Sequence, residues 1–357
     1  MDFHRLLPSL LLLASATVSG SDAQRQRFEC TKGSTCHSLV GYKPINGTTI
    51  GSIRRFFGVE NLRSLLGANN LPLSTSPNHP IGAQQLVKIP IPCICFNGTG
   101  ASNKMPVYTV QKDDGLFYIA NTVFGGLVEY PRIQAVNKIE DANIIFVGQK
   151  LWIPLPCSCE DVDGEKVVHY GQVVEEGSSV EEIAHEFGTT STTLYEVNGI
   201  DSDRELIAGK AIDIPLRACT SSMTNATSPD YPLLLANGTY ALTAGNCVRC
   251  KCDAANNWRL HCDPSGLKPS DWATCPAMRC SGADGLSLGN TTGTSCSTTT
   301  CAYAGFSRDQ RIFTTLATES TCPSGTPNPG NYASRTSFSW EWLLVFFHLI
   351  LLCANIM

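Results

Sequence analysis

Residues 108–157 read YTVQKDDGLFYIANTVFGGLVEYPRIQAVNKIEDANIIFVGQKLWIPLPC, and this stretch decides the fold because the chain repeats it. The same landmarks return about 62 residues later, between Tyr170 and Cys219. Tyr170 stands for Tyr108, Glu176-Gly177 for Asp114-Gly115, and Asn198 for Asn137. Ile214-Pro215-Leu216 before Cys219 stands for Ile153-Pro154-Leu155 before Cys157. An earlier copy runs from Tyr42 through Asn70 to Lys88-Ile89-Pro90-Ile91-Pro92-Cys93. It has a longer loop, Leu71 to Ile81, and a weakly marked opening strand. Self-similarity at a fixed period points to stacked units rather than one continuous core.

Each copy carries the apolar stripe of a short helix. Leu116, Ile119, Ala120 and Val123 recur at i, i+3, i+4 and i+7. Val180, Ile183, Ala184 and Phe187 repeat the stripe, and Ile50, Ile53 and Phe57 keep its phase. Gly58 and Gly188 are placed as helix stops. A second helix follows at Leu62 to Leu66, at Pro131 to Val136 and at Leu194 to Val197, with Pro131 suited to the first helical position. Asn137 and Asn198 fall where a residue tolerant of left-handed backbone is wanted. Brief strands such as Val107 to Gln111 and Lys150 to Ile153 bracket each helix pair. The unit is β-α-α-β and the fold class α+β, with three tandem, disulfide-linked units packed as one block.

A unit of about 50 residues buries little core and needs staples. The Cys-x-Cys pairs Cys93/Cys95 and Cys157/Cys159 sit at the junctions between units, and Cys30/Cys36 precede the first. Neighbours in a Cys-x-Cys do not easily bond each other, so each reaches to another junction. Metal binding is the competing reading of such pairs, and export disfavours it. After Cys219 the chain becomes rich in Gly, Ser, Thr and cysteine, giving a loop-rich disulfide module through Cys322. The organisation expected is a signal peptide at 1–23, units at 24–95, 106–157 and 168–219, and the cysteine-rich module at 220–322. A stalk at 323–331 and a removed C-terminal segment at 332–357 complete it.

Both ends speak for export. Asp2, His4 and Arg5 precede an apolar run from Leu6 to Val18 and then small residues, the order of a secretory signal peptide. The tail Trp342 to Cys353 is shorter than a bilayer span and has no Lys or Arg after it. Small residues and a polar spacer lie upstream, which together form a glycosylphosphatidylinositol (GPI) signal. Asn331 is the expected lipid-bearing residue, with Gly330 and Ser334 as rivals. Of seventeen cysteines, Cys353 lies in the removed tail, leaving an even sixteen for a disulfide framework. Sequons stand at Asn46, Asn97, Asn225, Asn237 and Asn290. A net charge of −5 without basic runs gives nucleic acid no footing.

The opening Tyr108-Thr109-Val110, the Asp114-Gly115-Leu116 step, the mid-unit Asn and the closing Ile-Pro-Leu-Pro resemble the lysin motif, LysM. Three such units separated by Cys-x-Cys pairs resemble plant LysM receptor ectodomains. Asn237-Gly-Thr-Tyr240, Thr243-Ala-Gly-Asn-Cys247 and Thr299-Thr-Cys-Ala-Tyr303 resemble the plant LysM-domain GPI-anchored proteins, the family that includes the chitin elicitor-binding protein. The resemblance implies cell-surface perception of chitin or peptidoglycan fragments in innate immunity, at the outer face of the plasma membrane. It implies signalling through a LysM receptor kinase, and a long polymer that bridges two copies would add avidity. It also implies the disulfides Cys30–Cys95, Cys36–Cys159 and Cys93–Cys157, and neither cofactor nor metal.

In LysM units the ligand groove lies between the β1–α1 and α2–β2 loops. For the second unit that implies Gln111, Lys112, Asp113, Asp114, Gly115, Leu116, Ile139, Glu140, Asp141 and Ala142, with Leu116 and Ile139 as floor. Glu175, Glu176, Gly177, Ile200 and Asp201 are the counterpart in the third. A glycosidase needs two carboxylates facing each other across a cleft. Glu181/Glu182 and Asp113/Asp114 are sequence neighbours that point apart, so no catalytic residue is assigned. A wall-adhesion protein and a LysM-targeted wall hydrolase are the alternative readings.

Overall fold

The computed structural model describes residues 28–223, 226–282 and 285–320. The signal peptide, Asn225, Cys322, the stalk and the anchor residues Gly330, Asn331 and Ser334 lie outside the described residues. The chain divides into two compact units, 1–292 with 299–317, and 293–298 with 318–357. Of the second, residues 293–298 and 318–320 are described: strand ends and the turn at 295–296.

The helical pairs appear three times, each bracketed by strands. First come β1 (Thr35–Tyr42), the short β2 (Thr48–Thr49), α1 (Ile50–Phe57), α2 (Leu62–Ala68), the short β3 (Pro80–Ile81) and β4 (Val87–Phe96). After β5 (Thr99–Ser102) follow β6 (Val107–Thr109), α3 (Leu116–Tyr118), α4 (Tyr130–Val136) and β7 (Lys150–Trp152). The third set is β8 (Val167–Val173), α5 (Val180–Phe187), α6 (Ser191–Asn198) and β9 (Ala211–Thr220). Then come β10 (Leu234–Ala236), β11 (Tyr240–Thr243), β12 (Val248–Cys252), β13 (Leu260–Pro264), β14 (Thr291–Thr294), β15 (Ser297–Ser307) and β16 (Arg311–Ser320).

Local chemistry sets the helix ends. Thr49 accepts from Ser52 N–H at 3.2 Å to start α1, and Gly58 ends it at φ +66°. Ser179 and Glu182 form a reciprocal cap at the start of α5, and Gly188 ends it at φ +68°. The helix begun at Leu116 is different: one α turn passes into a π turn over Ile119–Val123, where Phe124 N–H reaches Ile119 C=O at 3.0 Å. Gly126 follows at φ +85°, and a Cβ there would stand 2.4 Å from the Gly209 carbonyl. Glycine is therefore required where the third unit packs on the second.

Asn137 and Asn198 do not take left-handed backbone. Asn137 has φ −94°, Asn198 ends α6, and the left-handed residues are the next ones, Lys138 at +54° and Gly199 at +58°. The asparagine is selected for its amide instead. Asn137 donates to Ile133 C=O and Trp152 C=O, both at 2.8 Å, and accepts from Trp152 N–H at 2.9 Å. Asn198 makes the same three bonds with Leu194 and Asp213, and Asn69 makes them with Leu65 and Lys88. Each clamp ties a second helix to its closing strand by hydrogen bonds to backbone groups of both.

The opening strand of the first set, weakly marked in sequence, is the centre of the molecule's largest sheet. β1 pairs antiparallel with β4 throughout and parallel with β8 at Leu39↔Tyr170, giving the order β10-β9-β8-β1-β4-β5. Its pairing on both edges is long-range and leaves no periodic trace in the sequence. The second set keeps its own two-stranded sheet and joins through β5, where Ser102 N–H meets Leu155 C=O at 2.8 Å. Disulfides Cys30–Cys95, Cys36–Cys159 and Cys93–Cys157 close loops of 65, 123 and 64 residues. Loops of that length contribute about 4 kcal/mol each on the chain-entropy account. The sulfurs of Cys36, Cys93 and Cys159 cluster, but all are in disulfides and offer no thiolate to a metal.

The cysteine-rich module is docked on the block. β10 extends the large sheet by pairing with β9, and Arg217 lies 4.5 Å over the Trp258 ring. Tyr240 joins the core of the first two sets, its hydroxyl donating to Leu71 C=O at 2.6 Å. A Cβ on Gly67 would lie 2.0 Å from the Tyr240 carbonyl, so α2 meets β11 backbone to backbone. Cys219–Cys252, Cys247–Cys275, Cys250–Cys262 and Cys280–Cys301 staple the module.

One ion pair is sealed beneath the third set. His169 Nδ1 lies 2.8 Å from Asp213 Oδ2, and Nε2 lies 2.8 Å from the Glu160 carbonyl. Both ring nitrogens face only acceptors, so both carry hydrogen and the ring is an imidazolium. Burial alone pulls its pKa down, yet the Asp213 charge and hydrogen bond, with the Glu160 carbonyl, hold it above the ordinary histidine value.

Candidate functional site

In every set the loop after the opening strand meets the loop before the closing strand, and what differs is how tightly they are tied. In the second, Val110 N–H meets Gln149 C=O and Gly148 N–H meets Val110 C=O, both at 2.9 Å. In the third, Val174 makes the equivalent pair with Lys210 at 3.0 Å and Gly209 at 2.9 Å. In the first, Gln84 N–H meets Pro44 C=O at 2.8 Å, and Pro44 has no N–H for the return bond.

Beyond this ladder the three diverge. The long loop of the first set folds back on its partner: β2 pairs with β3, Ile50 N–H meets His79 C=O at 3.0 Å, and Gly51 N–H meets Pro77 C=O at 2.8 Å. The groove there is zipped shut by backbone. In the third, Asp203 Oδ1 accepts from Val180 N–H at 3.0 Å, crossing to the start of α5. Ile200 is buried there, and Glu175 is engaged by Lys43. In the second, among the described residues, no hydrogen bond links 111–116 to 139–147. Its loops are open.

The predicted residues divide by depth. Gln111, Lys112, Asp113, Glu140 and Asp141 are exposed on the two loops, and Ile139 and Ala142 are half-buried between surface and core. Leu116 does not form a floor: it is 2% exposed and belongs to the core. As the first apolar position of the helical stripe it faces inward with Ile119 and Ala120. Asp114 accepts from Tyr108 O–H at 2.8 Å and Gln111 N–H at 2.6 Å, so it shapes the loop from within. Burial, reinforced by that bond to Asp114, drives the Tyr108 phenol well above its ordinary range and keeps it a donor. Asp113 takes φ +68°, and Gly115 is extended with open space where a side chain would be. Asp141 Oδ1 accepts from Asn143 N–H at 2.9 Å, fixing the second loop's turn.

Exposed apolar side chains around these loops escape a periodicity reading. Phe117 is 67% exposed and sits edge-on to Tyr130 with ring centres 6.2 Å apart. Ile144, Phe146 and Val147 are exposed on the second loop. The run Ile144-Ile145-Phe146-Val147 looks like a buried strand in sequence, and only the turn closed by Ile144 N–H on Asp141 C=O at 3.0 Å turns it outward. The strip sets exposed loop residues beside exposed apolar side chains.

Comparison with known proteins identifies the family. The LysM domain family model matches residues 108–154 and 173–215. The chain is 49% identical over 348 residues to LysM domain-containing GPI-anchored protein 2 of Arabidopsis thaliana, covering 97% of this chain and 95% of that protein. It is 39% identical over 337 residues to the chitin elicitor-binding protein of Oryza sativa subsp. japonica, covering 92% of each. The ectodomain structure of a receptor like kinase aligns at 21% identity and a TM-score of 0.44, over 52% of this chain and 94% of that one. The chain belongs to the family of LysM domain-containing GPI-anchored proteins, which stand on the outer face of the plasma membrane.

Proposed function

We propose that this chain is a cell-surface receptor or co-receptor that binds GlcNAc-containing glycans, chitin oligomers or peptidoglycan fragments, on the open loops of its second unit. The first βααβ set is read as a third LysM unit, because Asn69 repeats the clamp of Asn137 and Asn198. The observation that carries the reading is the contrast between loops: zipped in the first unit, bridged by Asp203 in the third, open in the second. The kinship with a chitin elicitor-binding protein supports the ligand class.

Backbone N–H and C=O groups of 111–115 and 139–142 pair the acetamide, each bond contributing about 0.5–1.5 kcal/mol net. Ile139 and Ala142 receive the acetyl methyl, worth under about 1 kcal/mol. Such small contributions make single sugars weak ligands and oligomers selective. Copies bridged on one long polymer gain avidity of the order of 10²–10⁴. A lipid anchor reaches only the outer leaflet, so the signal passes through a LysM receptor kinase.

Calorimetric titration of the secreted chain with chitin oligomers and with soluble peptidoglycan fragments tests this. Saturable binding is expected for at least one, and Ile139→Ser weakens it about tenfold. No binding to either, or unchanged affinity in folded Ile139→Ser, overturns the proposal.

A further inference from the structure

The hairpin joining β4 to β5 reads Phe96-Asn97-Gly98-Thr99, a glycosylation sequon built into the tightest of turns. Phe96 and Thr99 pair across the strands, so Asn97 and Gly98 alone reverse the chain. Both have positive φ, +49° and +82°, as a two-residue type I′ turn requires. The turn is pinned. Gly98 C=O accepts from Cys30 N–H at 3.1 Å, and Cys30 is bonded to Cys95, the residue before Phe96.

Phe96 is 52% exposed at this rigid tip and belongs to none of the hydrophobic cores. A single exposed ring says little on its own. Here it directly precedes the sequon asparagine, in a backbone that fixes where an attached sugar begins. A pyranose presents a face of C–H groups, and an aromatic ring is the side chain that covers such a face with least loss of rotamer freedom.

We propose that Asn97 carries an N-glycan whose first GlcNAc stacks on Phe96, so that the hairpin holds its own amino sugar. In the transfer, Asn97 Nδ2 forms a bond to C1 of the terminal GlcNAc of a lipid-diphosphate-linked oligosaccharide. The C1–O bond to phosphate breaks, its electron pair leaves with the lipid diphosphate, and one amide proton is released. Transfer precedes folding, because Thr99, whose hydroxyl completes the sequon, is buried in the finished hairpin. Stacking then removes ring and sugar face from water together and stiffens the end of the large sheet. The proposal is independent of which glycan the open loops bind.

The test uses the whole chain secreted from a eukaryotic host. Peptide mass spectrometry is expected to find Asn97 occupied, and an unoccupied Asn97 overturns the proposal. Thermal midpoints are then compared for wild type, Phe96→Ser, Asn97→Gln and the double variant. Losing the glycan is expected to lower the midpoint by about 2–4 °C when Phe96 is present and by under about 1 °C when Ser replaces it. Equal losses in both backgrounds overturn the stacking, and any strain from Gln at positive φ cancels in the comparison. Should Asn97→Gln not fold, enzymatic trimming to the single proximal GlcNAc replaces it. NMR should then show that sugar's protons shifted upfield by the Phe96 ring and returned to ordinary positions in Phe96→Ser. Unshifted protons in wild type overturn it.

Discussion

Asn198→Ala tests the clamp most sharply, because every group it strands is buried. The change removes donors to Leu194 C=O at 3.0 Å and Asp213 C=O at 2.8 Å, and the acceptor of Asp213 N–H at 2.7 Å. Asn198 and Asp213 are each 1% exposed, so no water replaces the lost bonds. A buried backbone group left unpaired costs about 1–3 kcal/mol, and two are stranded on Asp213 alone. Partial relaxation brings the expected loss to about 3 kcal/mol, within the range of broken buried networks. At about 2–4 °C per kcal/mol, the thermal midpoint of the disulfide-intact chain falls by roughly 10 °C. Circular dichroism measures this beside Asn143→Ala, an exposed control expected to stay within about 0.5 kcal/mol of wild type. If Asn198→Ala melts like that control, the clamp does not hold the third unit together and the account of its mid-unit asparagine fails.

Three further outcomes are expected. The His169 imidazolium sits above its unfolded value near 6.5, so its stabilisation is complete at low pH and is lost as pH rises through the folded value. Chemical denaturation between pH 5 and 9 should show that loss in wild type and its absence in His169→Gln; parallel curves would refute it. Gly67→Ala places a methyl on the Tyr240 carbonyl, so it should destabilise by about 2–4 kcal/mol and raise protease cleavage between Cys219 and Tyr240. Unchanged proteolysis would mean the module is not seated on α2. Leu116→Ala should lower stability by about 2–5 kcal/mol. It should leave oligosaccharide affinity of the folded fraction unchanged, and a selective affinity loss measured by calorimetry would return Leu116 to the groove.

Much of this was legible in the residues because the signals are local. The stripe Val180, Ile183, Ala184 and the stop at Gly188 name a helix and its end, since side-chain period and left-handed backbone act within one turn. The family likeness pointed to the two loops that the structure leaves open in the second unit. Leu116 was misread because the loop motif and the helical stripe both claim it, and the stripe won through burial. Phe117 and the Ile144–Val147 run were missed because exposure of an apolar side chain depends on which neighbours fold over it. Asn137 and Asn198 were located correctly but given a backbone role, and in the first unit Asn70 was named where its neighbour Asn69 makes the clamp. Their amides reach strands 15 or more residues away, and periodicity does not encode that distance.

The sequence by itself determined the repeat, the helix pairs, the oxidising compartment of a cysteine-stapled chain and the kin to which it belongs. Only the tertiary structure decided that β1 lies between β4 and β8, that the module plugs Tyr240 into the first core, and which loops stay open. The physical reason is that a groove is closed by hydrogen bonds between distant backbone groups. Thr48 finds Ile81, and Val180 finds Asp203, because the fold brings them together.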